Sequence, residues 1–128
     1  MLFRSVIYFM RNREIRTLLD LSGAVLDQED GYWIKVDAWE VIASQAIPHG
    51  IRYSLTLHEP SGQRILGYDN AHAVKPTGLK FSGRRLPYDH RHRFLRDMGV
   101  PYVFTDAHQL LADFFKEVDL VLKEVKPK

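Results

Sequence analysis

His72, His90 and His92 are the side chains of this sequence whose types and spacing best suit proton or metal chemistry. His72 closes the run Gly67-Tyr68-Asp69-Asn70-Ala71-His72, which reads as the exit of a strand, a place where a rigid sheet can hold side chains at a loop mouth. His90 and His92 lie in Asp89-His90-Arg91-His92-Arg93. In an extended segment their period-2 spacing turns both imidazoles the same way, with Arg91 opposite. Two chemistries fit. In the first, His72 and His92 transfer protons with His90 beside them, Tyr68 and Asp69 orient a ring, and Arg91 stabilises charge developing at phosphorus. RNA cleavage can run this way without a metal, because the 2′-OH is an internal nucleophile. In the second, the three histidines with Asp69 or Asp89 bind a metal, since imidazole and carboxylate suit zinc or manganese. The adjacent arginines oppose a cation, so no metal or other cofactor is expected. His49, His58 and His108 read as a turn residue, a polar strand residue and a surface or capping residue.

The charge around these histidines is strongly segregated. Net charge is only +2. Lys75, Lys80, Arg84, Arg85, Arg91, Arg93 and Arg96 nevertheless face Asp89 alone between residues 75 and 96, a local excess of +6. Clustered cations attract phosphate backbones through counterion release. Lys75, Lys80, Arg84, Arg85, Arg93 and Arg96 are therefore the expected nucleic-acid contacts. Asp20, Asp27, Glu29, Asp30, Asp37 and Glu40 against Lys35 make residues 20–40 acidic, and pairing of the arginines with that acidic hairpin is the structural alternative. Residues 1–20 form a basic extension carrying Arg4, Arg11, Arg13 and Arg16.

The elements that must position these groups are legible in the hydrophobic pattern. Leu21 to Leu26, the dipeptide Asp30-Gly31 and the run from Tyr32 to Trp39 make a hairpin, because a type I′ turn needs positive φ at both central residues. Ile51, Tyr53, Leu55 and Leu57 alternate with Arg52, Ser54, Thr56 and His58 in a strand with one wet side. Glu59-Pro60-Ser61-Gly62 then turns the chain into a strand from Gln63 to Asp69. Residues 71–99 lack sustained periodicity and read as a long basic loop, and loops of that length are usually functional or disordered.

Ala107, Leu110, Leu111, Phe114, Val118, Val121 and Leu122 recur at helical spacing after Thr105, a good N-cap, so an amphipathic helix runs from about Asp106 to Glu124. Asp113 and Glu117 on it read as ordinary i, i+4 surface charge. Phe114, Phe115, Tyr53 and Trp33 sit at core spacing, whereas Tyr88 and Tyr102 are the better candidates for base stacking. The fold class is α+β: an antiparallel β-meander of about four strands against a long C-terminal helix, with a further N-terminal helix or strand before Leu21.

Composition narrows the classes. The 128 residues are 45% hydrophobic and 27% charged, which predicts one domain over 1–128 and excludes a disordered chain. With no cysteine there is no disulfide framework and no thiolate site. The apolar stretch from Ser5 to Met10 is too short for a membrane span and lacks a cleavage site after it, so a cytoplasmic protein without membrane association is expected. No P-loop, dinucleotide-binding glycine fingerprint, serine elbow or His-Glu-x-x-His is present.

Five stretches carry a family resemblance: His49-Gly50-Ile51-Arg52-Tyr53-Ser54-Leu55, Leu66-Gly67-Tyr68-Asp69-Asn70-Ala71-His72, Asp89-His90-Arg91-His92, Pro101-Tyr102-Val103-Phe104-Thr105 and Leu110-Leu111-Ala112-Asp113-Phe114. From about residue 21 to about 120 the chain resembles the TumE family, small toxin components of bacterial and archaeal toxin–antitoxin pairs. The resemblance implies a toxin encoded beside a helix-turn-helix antitoxin that neutralises it. Ala73 stands where the family usually has Gly, and a longer insertion separates His72 from His90. Two functions follow as expectations. One is an RNA-cleaving toxin, a metal-independent endoribonuclease using Tyr68, Asp69, His72, His90, Arg91 and His92. The alternative is a module that binds nucleic acid or protein on the same basic surface without catalysis. The expected partners are the antitoxin and RNA, with a second copy of the chain a further candidate.

Overall fold

Two tight turns set the register of the sheet. At the first, Asp30 and Gly31 both adopt left-handed backbone, with φ of 60° and 83°, so the chain reverses as the Asp-Gly pair predicts. At the second, Gly62 takes φ 98° and donates its N–H to the Glu59 carbonyl at 2.8 Å. The computed structural model describes residues 15–70, 89–93 and 99–125. Within them six strands lie side by side in chain order: β1 (Val25–Asp27), β2 (Trp33–Glu40), β3 (Ile51–His58), β4 (Arg64–Asp69), β5 (His90–Arg93) and β6 (Val100–Pro101). Every neighbouring pair is antiparallel. Residues 15–20 are helical (α1), and α2 (Ala107–Val125) follows the sheet.

Strand alternation separates two faces. Ile34, Val36 and Ala38 of β2, Ile51, Tyr53, Leu55 and Leu57 of β3, and Leu66 and Tyr68 of β4 are all buried in one cluster with Leu18 of α1 and with Leu110, Phe114, Val118 and Val121 of α2. Each large aliphatic side chain so buried contributes about 1.5–3 kcal/mol, which makes this face the source of the fold's stability. The opposite face presents Trp33, Lys35, Asp37 and Trp39 of β2 beside Arg52, Ser54, Thr56 and His58 of β3, none of them buried. There Trp33 stacks on His58 at 3.9 Å between ring centroids, so Trp33 belongs to the open face and not, as its spacing suggested, to the core.

The α+β meander and its C-terminal helix agree with the sequence reading, with three corrections. Six strands form where about four were expected. β5 lies inside the stretch read as loop, because a strand composed of His-Arg-His-Arg carries no apolar alternation to reveal it. The cap of α2 is Asp106 and not Thr105: Asp106 Oδ1 accepts the Gln109 N–H at 2.7 Å, and its carbonyl accepts from Leu110 N. Of the N-terminal extension, residues 1–14 lie outside the described residues, and 15–20 are helical as one of the two expectations had it. No helix among the described residues is long and apolar enough to cross a membrane.

Candidate active site

The last residue of β4 and two residues of β5 build the candidate site. Register pairs Asp69 with His90 and Gly67 with His92, which places Asp69, His90 and His92 on the face of the sheet away from α2. His90 Nε2 lies 2.8 Å from Asp69 Oδ1 and His92 Nε2 lies 3.4 Å from Asp69 Oδ2. The two rings meet edge to face with centroids 4.5 Å apart. One carboxylate therefore serves two imidazoles. An ionised carboxylate only accepts hydrogen bonds, so it orients the Nε2–H of each ring toward itself. His90 is buried, at 2% exposure, whereas the His92 side chain retains 12%.

Gly99, just before β6, closes over this pair. It has φ 95°, and a Cβ there would stand 2.6 Å from His92 Cε1 and 3.0 Å from His90 Cδ2, so only glycine allows the chain to cross at this distance. The donor set also suits a metal ion in kind and spacing, since one ligand atom from each of Asp69, His90 and His92 lies within 4.8 Å of the others.

The other expected site residues on these strands face α2. Tyr68 donates its hydroxyl to Glu117, Arg91 Nη1 donates to Glu117 Oε2 at 2.8 Å, and Arg93 Nε donates to the same oxygen at 2.9 Å. Arg93 also reaches Glu124 at 2.8 Å. Burial drives the Glu117 carboxyl up, but the hydrogen bonds from Tyr68 and Arg93 and the charges of Arg91 and Arg93 outweigh it and hold the group below the usual glutamate range. Burial, then the bond to Glu117, pushes the Tyr68 hydroxyl well up, so it stays protonated as a donor. The arginines thus pair with α2 and not with the acidic hairpin, where Asp37 has Lys35 as its cation at 3.8 Å. Tyr68, Arg91, Tyr102, Asp113, Lys116, Glu117 and Leu120 line an open cleft of about 260 Å³ on this side. Tyr102, expected to stack on bases, donates its hydroxyl to Asp113 and meets Tyr68 edge-on at 5.1 Å.

A third group ties the strand ends together. Asn70 is fully buried; its Oδ1 accepts from Tyr53 N at 3.0 Å and its Nδ2 donates to the Ile51 carbonyl at 2.7 Å, so it stands in for a strand partner where β4 ends. His49 Nε2 donates to Asp89 at 2.9 Å and stacks on Phe104 at 3.8 Å, and Tyr53 donates its hydroxyl to Asp89 at 2.7 Å. His49 is more than the turn residue its position suggested. His58 bonds Gly62 and Thr56, and His108 is exposed, as expected of them.

The sequence reading missed Glu117, Gly99, Asn70 and the His49–Asp89 pair. Glu117 left a signal in falling between Phe114 and Val118 on the helical stripe, and Asn70, His49 and Asp89 stand in stretches that carry the family resemblance. His72, Ala73, Lys75, Lys80, Arg84, Arg85, Tyr88 and Arg96 lie outside the described residues.

With this geometry in place, comparison with known proteins gives the class. The family model described as Toxin TumE matches residues 13–122. The chain belongs to the TumE family and is a toxin component of a toxin–antitoxin system, which implies an antitoxin partner. No curated protein and no solved structure matches it.

Proposed function

We propose that this toxin cleaves RNA by imidazole acid–base chemistry at the Asp69–His90–His92 cluster. The observation that carries the reading is the single carboxylate shared by two histidines, one buried and one partly exposed, beneath a glycine that admits no side chain. In the reaction, an imidazole nitrogen takes the 2′-OH proton as O2′ attacks the adjacent phosphorus. The P–O5′ bond then breaks, O5′ receives a proton from a second imidazolium, and the products are a 2′,3′-cyclic phosphate and a free 5′-OH. His92 is one member of the proton-transfer pair and His72 is the other; Asp69 fixes the His92 ring, and His90 packs it from beneath. Lys75, Lys80, Arg84, Arg85 and Arg96 supply charge for the RNA backbone. The same reading makes the antitoxin a helix-turn-helix protein and the cytoplasm the place of action.

Incubation of the purified chain with total RNA in EDTA tests this. Cleavage is expected, and His92→Ala, His72→Ala and Asp69→Asn are each expected to lose about 10²-fold or more. Intact RNA, or unchanged cleavage by the variants, overturns it. Salt-sensitive retention of RNA without scission would establish the non-catalytic binding module instead. Activity lost in EDTA and restored by zinc or manganese would move the reaction to metal chemistry.

A further inference from the structure

We infer that Arg64, on the open face of the sheet, is the cation that binds the RNA phosphate at the Asp69–His90–His92 cluster, an assignment that rests on the reading of this site as the one that meets RNA. A guanidinium that stabilises charge at phosphorus must lie on the same face as the histidines. Arg91 and Arg93, the arginines nearest in sequence, leave β5 on the opposite face and are engaged by Glu117 and Glu124. Arg64 begins β4 opposite His58, at the register shift between Leu57 and His58. From there its side chain lies along the open face across Gly67. A Cβ on Gly67 would stand 3.2 Å from Arg64 Nη1, 3.3 Å from Cδ and 3.5 Å from Cζ. Gly67 is the register partner of His92. The missing side chain at residue 67 is therefore the space that brings a guanidinium beside His92.

The charge pattern of that face supports a phosphate as the ligand. Lys35, Thr56, Gly67 and His92 form one row across four strands, and Asp37, Ser54, Asp69 and His90 form the next. Arg64 lies over the first row, next to the second. Among the described residues it has no carboxylate within ion-pair distance, whereas Arg91 and Arg93 both have one. An arginine held against a sheet by its stem, with its fork not committed to a carboxylate, is suited to bidentate contact with phosphate oxygens. Trp33 stacked on His58, beside the start of β4, and Trp39, at 48% exposure, offer ring faces for bases on the same surface.

The test uses the full chain and a fluorescently labelled single-stranded RNA with 2′-O-methyl groups, which removes the nucleophile and reports binding alone. Affinity is measured across salt concentrations for the wild type, Arg64→Ala, Arg64→Lys and Gly67→Ala, and cleavage of the unmodified RNA is followed in parallel. Arg64→Ala is expected to weaken binding about 10-fold or more at low salt and to flatten the slope of log affinity against log salt by about 0.7, the loss of one phosphate contact. Arg64→Lys should recover the slope and part of the affinity. Gly67→Ala keeps every charge but displaces the guanidinium, and should weaken binding as Arg64→Ala does. Wild-type affinity and slope in Arg64→Ala, or absence of binding by the wild type, overturns the assignment. If the wild type binds and does not cleave, the ribonuclease reading falls while the Arg64 assignment is still decided by the slopes.

Discussion

Tyr68 and Asp69 are consecutive on β4 and leave the sheet in opposite directions: Tyr68 bonds Glu117 of α2, and Asp69 holds His90 and His92 on the far side. The residues that stand together in the chain motif thus divide into an outward set, which carries exchangeable protons, and an inward set, which fastens β4 and β5 to α2. Each set makes its own predictions.

Glu117→Gln should destabilise the fold by about 1–3 kcal/mol at pH 7, because it removes the charge that Arg91 and Arg93 share while leaving both guanidiniums in place. The pH dependence has a definite sign. The folded carboxyl titrates below its unfolded value, so its contribution is fully present above the ordinary glutamate range near about 4.3 and is lost as pH falls through the folded value. Urea melts of the wild type and the variant should converge as the pH is lowered below about 4. Identical melts at pH 7 would remove Glu117 from its role as the hub.

Gly99→Ala should separate the two histidines from their carboxylate. The new methyl would meet His92 Nδ1 at 2.9 Å as well as Cε1, at a backbone φ of 95° that alanine tolerates poorly. A loss of at least about 1 kcal/mol in thermal unfolding is expected, with cleavage of RNA reduced about tenfold or more. Wild-type cleavage by this variant would show that ring placement under Gly99 is irrelevant to the reaction.

Asn70→Ala should cost about 2–3 kcal/mol, since it strips a buried backbone donor and a buried backbone acceptor of β3 of their partner. Asn70→Asp should be no better, because the carboxylate cannot donate to the Ile51 carbonyl. Denaturant midpoints near that of the wild type for both variants would contradict the strand-partner role.

Asp106→Ala should destabilise by about 1 kcal/mol through the lost cap on Gln109 N, while Thr105→Ala should change stability by no more than a few tenths. The reverse ranking would return the cap to Thr105.

Much of the fold was legible because burial leaves a periodic trace. The alternation from Ile51 to Leu57, the Asp30-Gly31 turn and the three- and four-residue spacing from Ala107 to Leu122 each record locally which side of an element meets the core. β5 left no such trace. Its four residues are held by register and by ion pairs, so its sequence reads as a charged loop.

From the chain alone came the α+β meander, the C-terminal helix, the TumE resemblance and the pairing of His90 with His92 on one side of an extended segment. Tertiary structure alone decided which carboxylate each charge meets: Asp69 for the histidines, Glu117 for Arg91 and Arg93, Asp89 for His49. The same holds for the seating of Arg64 over Gly67 and of Gly99 over the rings. Apolar burial is non-directional and needs only a face, so a short window of sequence encodes it. A charge pair needs two particular atoms within a few ångströms, and here those atoms are separated by up to 40 residues and meet only after strand register and helix docking are set.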